Sequence, residues 1–480
     1  MKSLRSLALL PALAFPLPMA LAQGPTHPDL VYATVGQADL HLDLYIPPAP
    51  AGPKPLLIFI HGGGWSGGTN ASLSGPSTIA LNQGFAVASI EYRLTSQAAL
   101  FAPEPVTFPA QIHDVKAAVR FLRANAGVYG LDPTRFASYG TSAGGHLSAL
   151  LAVSTGVAEL EGTVGPHVGV SSAVQAGIDF FGPTDLLRMG LDAQLPPGSF
   201  IDHDAPTSPE SRLLGWDGPG QGVGDIRANQ SNPAPPYPEL VELATWVNPV
   251  TWVDPSDPPL FIAHGTNDTS VPPTQSIRLS AALLAAGVPH DFRTIPGAGH
   301  GLGGAVNQAA FTFIRRKLIG PNLPDVGTTV CTGDGSSGAC PCGNESFPGG
   351  GAGCAHSLFV GAGLTASGAA SVSNDTLQLQ GDSMPETFVL YFQGTALQNP
   401  GVGLAEGLLC AGGTITRLGV RPTLQGSALY PGPGHPSISV SGGVTAGVTL
   451  YYQGWYRDVD PHCNGSNANL TNAIAVTWLP

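Results

Sequence analysis

Apolar and polar positions divide the chain into two regimes. Through residues 23–320, short apolar runs alternate with stretches of helical spacing. Residues 55–60 and 84–90 are near-continuous apolar runs, the pattern of strands buried on both faces. Within 112–124, Val115, Ala118, Val119 and Leu122 recur on one face of a helix. Residues 136–139 predict a short strand running into Gly140, and 142–153 an apolar helix. A strand over 259–264, a helix over 274–286, a strand over 290–295 and a closing helix over 305–318 follow. Alternation of this kind predicts the α/β class, a doubly wound and mostly parallel sheet with helices on both faces. Residues 186–258 break the rhythm with Pro, Gly and Asp, and predict a partly helical insertion over one face of the sheet, where lids and substrate walls arise.

Residues 321–330 predict a linker, after which the character changes. Helical spacing disappears and short alternating runs replace it at 375–380, 387–392, 448–452 and 473–478. These predict a smaller, sandwich-like all-β domain over 331–480. Leu390-Tyr391-Phe392-Gln393-Gly394 and Leu450-Tyr451-Tyr452-Gln453-Gly454 are near copies, and the expectation is that they are equivalent strands of two sheets.

The 480 residues are enough for two such units. Charged residues make up only 11% while Gly and Pro number 64 and 46, a balance that suits a loop-rich exported protein. The net charge of −13, with no basic run, argues against nucleic acid as a partner. At the N-terminus, Lys2 and Arg5 precede an apolar stretch ending in Ala20-Leu21-Ala22, which predicts a cleaved signal peptide over 1–22 and a secreted or cell-surface location. The stretch is too short and Pro-rich to span a bilayer, and no other segment is apolar enough. All six cysteines (331, 340, 342, 354, 410 and 463) fall in the last third. In an exported chain this predicts disulfides, with the pairing left open among 15 connectivities, rather than a metal site.

The chemistry is carried by three segments. Gly140-Thr141-Ser142-Ala143-Gly144 sits between a predicted strand and a predicted helix, where a sharp turn lifts a serine hydroxyl above a sheet. Ser142 is the candidate nucleophile. His61-Gly62-Gly63-Gly64-Trp65 follows the strand at 55–60, and its glycines let backbone N–H groups approach a substrate. Gly63, Gly64 and Ala143 are the candidate oxyanion hole. A serine base and its orienting carboxylate are expected downstream, acid first. Asp268 and His300, each in a loop after a strand, are assigned these roles. Asp185 is the rival acid but precedes the insertion. His61, His113, His146 and His264 are read as structural. Trp65 and Trp216 are candidate substrate contacts. No metal or cofactor is expected.

Those residues, with Glu91-Tyr92-Arg93-Leu94 and residues 182–186, are similar to the bacterial feruloyl-esterase-like and carboxylesterase branch of the α/β hydrolases. The resemblance covers about residues 30–320. It implies the triad Ser142, Asp268 and His300, and hydrolysis of carboxylic esters without a metal. Substrates in that branch are short acyl esters, acetylated or feruloylated polysaccharides, and some polyesters. The β domain departs from the family, and three roles are open for it: binding carbohydrate, retention at a cell surface, or stabilising the enzyme. Two alternatives stand beside the esterase. One is a serine peptidase of the oligopeptidase type, which ordinarily carries a large N-terminal propeller. The other is a hydrolase-like binding protein without activity, which ordinarily lacks a member of the triad.

Overall fold

The computed structural model describes residues 24–48, 52–71, 73–194, 201–295, 297–319, 327–346, 351–357, 361–385, 387–423, 426–432, 434–458 and 465–480. The expected signal segment and the first part of the expected linker lie outside these residues.

Eight strands form the first sheet: β1 (His27–Val35), β2 (Ala38–Tyr45), β3 (Lys54–Ile60), β4 (Ala86–Ile90), β5 (Leu131–Thr141), β6 (Ala176–Phe180), β7 (Leu260–Gly265) and β8 (His290–Ile295). Their order across the sheet is β1-β2-β4-β3-β5-β6-β7-β8. β3 through β8 pair in parallel, and β2 is antiparallel to both neighbours. This is the expected α/β-hydrolase arrangement. β3, β4 and β6 are buried at every position, which is why each reads as a near-continuous apolar run.

Helices cover both faces. Ala110–Ala124, Ala143–Val153 and Thr274–Ala286 pack their apolar sides on one face through Val115, Leu150 and Leu279. Pro76–Asn82 and the closing helix Gly304–Ile319 cover the other through Ala80, Phe311 and Ile314. The segment after β6 is built from short helices, among them Pro209–Leu213, Val223–Ala228, Tyr237–Trp246 and Pro249–Trp252. It is anchored rather than loose. Leu213, Ile226 and Val247 join the same core as the sheet, and Arg278 pairs with Asp192 at 2.9 Å.

Downstream, β9 (Thr328–Cys331), β10 (Gly363–Ser367), β11 (Gln378–Asp382), β12 (Phe388–Leu404), β13 (Gly407–Pro422), β14 (Ala428–Tyr430), β15 (Thr449–Arg457), β16 (Ala468–Leu470) and β17 (Ala473–Thr477) make two antiparallel sheets. One has the order β10-β11-β14, the other β13-β12-β15-β17-β9 with β16 beside β15. Leu364, Leu379 and Tyr430 from the first meet Tyr391, Tyr452, Ile474 and Trp478 in a shared core.

The two near-identical pentapeptides are not in different sheets, as the sequence suggested. They pair with each other, Phe392 opposite Gln453, as neighbouring strands β12 and β15. The pairing sets equivalent positions on opposite faces: Tyr391 and Tyr452 are buried in the core between the two sheets, and Phe392 and Tyr451 pack on the other side. Disulfides join Cys331 to Cys410 and Cys340 to Cys354. Among the described residues, the β region contacts the first region where Arg293 of β8 donates to Ser383 and Arg316 of the closing helix pairs with Asp382. Among the described residues no helix is long and apolar enough to cross a membrane.

Candidate active site

The turn from β5 into helix Ala143–Val153 is made by Ser142 itself, at φ 57° and ψ −125°. Such a conformation is strained for a residue with a side chain and persists only where its surroundings enforce it. Here Ser142 N–H donates to the Phe180 carbonyl at 2.9 Å, and the Ser142 carbonyl accepts from His146 N–H at 3.0 Å. The turn closes so tightly that a Cβ on Gly140 would lie 1.9 Å from the Gly144 carbonyl oxygen.

Parallel pairing of β5, β6, β7 and β8 brings their following loops to one edge of the sheet. Ser142 Oγ lies 3.0 Å from His300 Nε2, and His300 Nδ1 lies 2.7 Å from Asp268 Oδ2. The other carboxylate oxygen accepts the N–H groups of Ser270 at 2.8 Å and Val271 at 3.0 Å. His264 Nε2 approaches Oδ2 at 3.2 Å. Burial alone would raise the Asp268 carboxyl, but hydrogen bonds from His264 and His300 outweigh it and hold the group well below the ordinary carboxylate range. The edge of Phe181 lies against the His300 ring, with centroids 4.6 Å apart.

The glycine loop is braced on its outer side. His61 Nδ1 hydrogen-bonds the Gly62 carbonyl at 2.7 Å, the ring stacks on Tyr92, and Tyr92 donates its hydroxyl to the His61 carbonyl at 3.0 Å. Gly63 adopts φ 114°, and a Cβ there would meet the Gly67 carbonyl oxygen at 2.2 Å. Trp65 Nε1 donates to His146 Nδ1 at 3.1 Å, so His146 Nε2–H is left to donate to the Val247 carbonyl at 2.7 Å. Burial pushes His146 down to about 4, which keeps it neutral in this bridge. One chain of hydrogen bonds thereby ties the glycine loop, the helix behind Ser142 and the insertion.

These parts enclose a cavity of about 600 Å³ bordered by Ser142, His300, Gly63, Gly64, Ala143 and Trp65. As the first residue of its helix, Ala143 has an N–H without an intrahelical acceptor. Trp65 borders the space although it is almost wholly buried. The structure does not bring Trp216 there. Its indole N–H donates to Asp225 at 2.8 Å and its ring meets Tyr237, so its apolar surface is spent inside the insertion. Asp185 also stays apart, its backbone N–H held by Gln275 at 2.8 Å. Asp114 is paired with Arg93, and His113 faces the Glu159 carbonyl. His203 and Glu210 border the cavity and were not anticipated. The signal was a histidine and a glutamate inside a Pro-rich stretch whose fold carries no periodicity. Among the described residues no group of three His, Cys, Asp or Glu is placed to hold a metal ion.

Residues 42–283 match the BD-FAE family model, a span that includes the glycine loop, Ser142 and Asp268 and stops short of His300. Esterase LipQ of Mycobacterium tuberculosis is 30% identical over 302 residues, which is 62% of this chain and 61% of that protein. The chain thus spans about three-fifths of that relative's length, and 54% of Esterase LipC from the same organism, at 28% identity. A solved truncated carbohydrate esterase from gut microbiota is 29% identical with a TM-score of 0.50, covering 62% of this chain and all of that one. A bifunctional GH43-CE protein of Bacteroides eggerthii is 33% identical with a TM-score of 0.50, covering 61% of this chain and 38% of that one. With the family model matched across half of its length, this chain belongs to the BD-FAE family.

Proposed function

We propose that the protein is a secreted serine hydrolase of carboxylic esters that works through an acyl-enzyme. The observation that carries this reading is the continuous hydrogen-bonded line from Ser142 Oγ through His300 to Asp268. In this reading His300 Nε2 takes the Ser142 proton as the oxygen attacks the ester carbonyl. The N–H groups of Gly63, Gly64 and Ala143 hold the oxyanion that develops. His300 passes the proton to the departing alcohol, and a water molecule repeats the sequence on the acyl group. Asp268 orients the imidazole and stabilises its cation.

The cavity size suits short acyl, feruloyl or polyester-type esters. The solved relative described as a carbohydrate esterase adds carbohydrate-linked esters to that set. Export is supported by the N-terminal segment 1–22 and by the disulfides. The β region is assigned a carbohydrate- or surface-binding role. In it Tyr456 is core, while Trp455 is only half-buried and packs beside Phe388.

The test combines a fluorophosphonate probe with p-nitrophenyl esters of increasing chain length, methyl ferulate, acetylated xylan and an aminoacyl anilide. Labelling at Ser142 with ester turnover supports the reading. Turnover of the anilide alone would favour a peptidase, and absence of labelling a binding protein.

A further inference from the structure

We propose that His203 and Glu210 form a hydroxyl-recognising subsite in the substrate cavity, an inference that rests on the ester-hydrolase reading. Both side chains border the cavity that holds Ser142 and His300. Both residues are only 2% exposed, and His203 Nδ1 lies 3.0 Å from Glu210 Oε1. Their other polar atoms, His203 Nε2 and Glu210 Oε2, are buried and have no hydrogen-bond partner among the described residues. Buried polar atoms are nearly always satisfied, so two adjacent exceptions in the wall of one cavity point to a ligand that completes them.

The pair is held rigidly. Ser208 caps helix Pro209–Leu213 by accepting the Ser211 N–H at 3.0 Å. Ser211 Oγ in turn donates to the Ala205 carbonyl and accepts the Val223 N–H. The Pro209 ring rests on Gly64, so the subsite is seated directly against the glycine loop. Nearby walls are apolar, including Phe180, Phe181, Val271 and Leu302. A few polar atoms in an apolar cavity are what fixes ligand orientation.

The chemistry of the two free atoms selects the ligand. Oε2 of a carboxylate accepts only. Nε2 accepts in the neutral imidazole and donates in the cation. A hydroxyl meets both cases, because it donates to Oε2 and either donates to or accepts from Nε2. An anion would be opposed by the carboxylate, and a cation by the imidazolium form. The hydroxyl can belong to a sugar on the alcohol side of the ester or to a phenol on the acyl side.

Two matched pairs of substrates separate these sources. One pair is a mono-acetylated methyl xyloside against cyclohexyl acetate. The other is methyl ferulate against methyl 3,4-dimethoxycinnamate. The wild type is expected to favour the hydroxyl-bearing member of one pair by about tenfold or more in kcat/KM, since a site built to bond a hydroxyl discriminates against its absence. The double variant His203→Leu, Glu210→Leu leaves no partnerless polar atom and is expected to reduce that ratio to near one. Glu210→Leu alone removes the acceptor and reads the same ratio should the double variant not fold. Equal rates within both pairs in the wild type, or an unchanged ratio in a folded variant, would overturn the subsite alone. No turnover of any of the four esters, with Ser142 unlabelled by a fluorophosphonate, would instead remove the ester reading beneath it.

Discussion

His264 lies 3.2 Å from Asp268 Oδ2, the same oxygen that faces His300. Its other nitrogen is held by Ser276 at 2.7 Å, and Nε2 also faces the Val271 carbonyl at 2.9 Å. The Nε2 proton is therefore shared between that carbonyl and the carboxylate, and Ser276 donates to Nδ1. In the proposed mechanism His264 is a positioning residue for Asp268. Losing one hydrogen bond to a charged group costs about 1.5–3 kcal/mol, so His264→Leu is expected to lower kcat/KM roughly ten- to a hundredfold. His264→Gln, which keeps a donor, should recover part of the loss. Full activity in a folded leucine variant would remove this role.

For the proposed nucleophile, Ser142→Ala is expected to lower kcat by roughly a million-fold while the melting temperature holds. Asp268→Asn should cost about 10⁴-fold through the wrong His300 tautomer. Steady-state rates on p-nitrophenyl acetate, with thermal melts alongside, check both. An alanine variant with ordinary turnover ends the assignment.

Asp179 gives a pH signature. It is fully buried below the turn at Ser142, and its Oδ1 accepts the Gly182 N–H at 2.8 Å. Burial pushes the carboxyl up to about 7, with the Gly182 N–H offsetting part of the effect. The fold thus favours the protonated form. The stability this lends is fully present below about pH 4, where the unfolded chain also holds the proton, and is lost as pH rises to about 7. Asp179→Asn cannot ionise, so its melting temperature should gain on the wild type's between pH 4 and 8. Parallel curves would rule this out.

The turn at Ser142 should tolerate no side chain at Gly140. A Cβ 1.9 Å from the Gly144 carbonyl forces the backbone apart, and Gly140→Ala is expected to cost at least about 3 kcal/mol or to prevent folding. Gly127, exposed with open space around its Cβ position, is the control; Gly127→Ala should be neutral or slightly stabilising. Denaturant titrations of both variants decide.

Strands and helices with one dominant period were legible in the sequence. The helix at Ala110–Ala124 and the strand His290–Ile295 fall where the pattern put them. The hairpin β1–β2 was missed although Leu40, Leu42 and Leu44 alternate inward against Asp39, His41 and Asp43, with Gly36 at the turn. β13 carried no such pattern. Most of its outer half is exposed or half-buried, and Gly412, Gly413 and Gly419 interrupt it, so neither face is apolar. That Ser142, Asp268 and His300 would lie together could be read because strand ends in a parallel sheet converge by topology. His203 and Glu210 could not, since their placement depends on how the insertion folds back, and Trp216 was misplaced for the same reason.

The corner at Asp382 and Ser383 has a consequence for how the molecule fails. His300 sits in the loop between β8 and the closing helix. Arg293 and Arg316, on those two elements, are the residues that grip this corner. The proposed base is therefore slung between two posts, and both are moored to the β region. Loss of those two contacts is expected to loosen the loop that carries His300 while β8 and the closing helix stay packed through Phe292, Phe311 and Ile314. Turnover would then fade while circular dichroism still reports an intact protein.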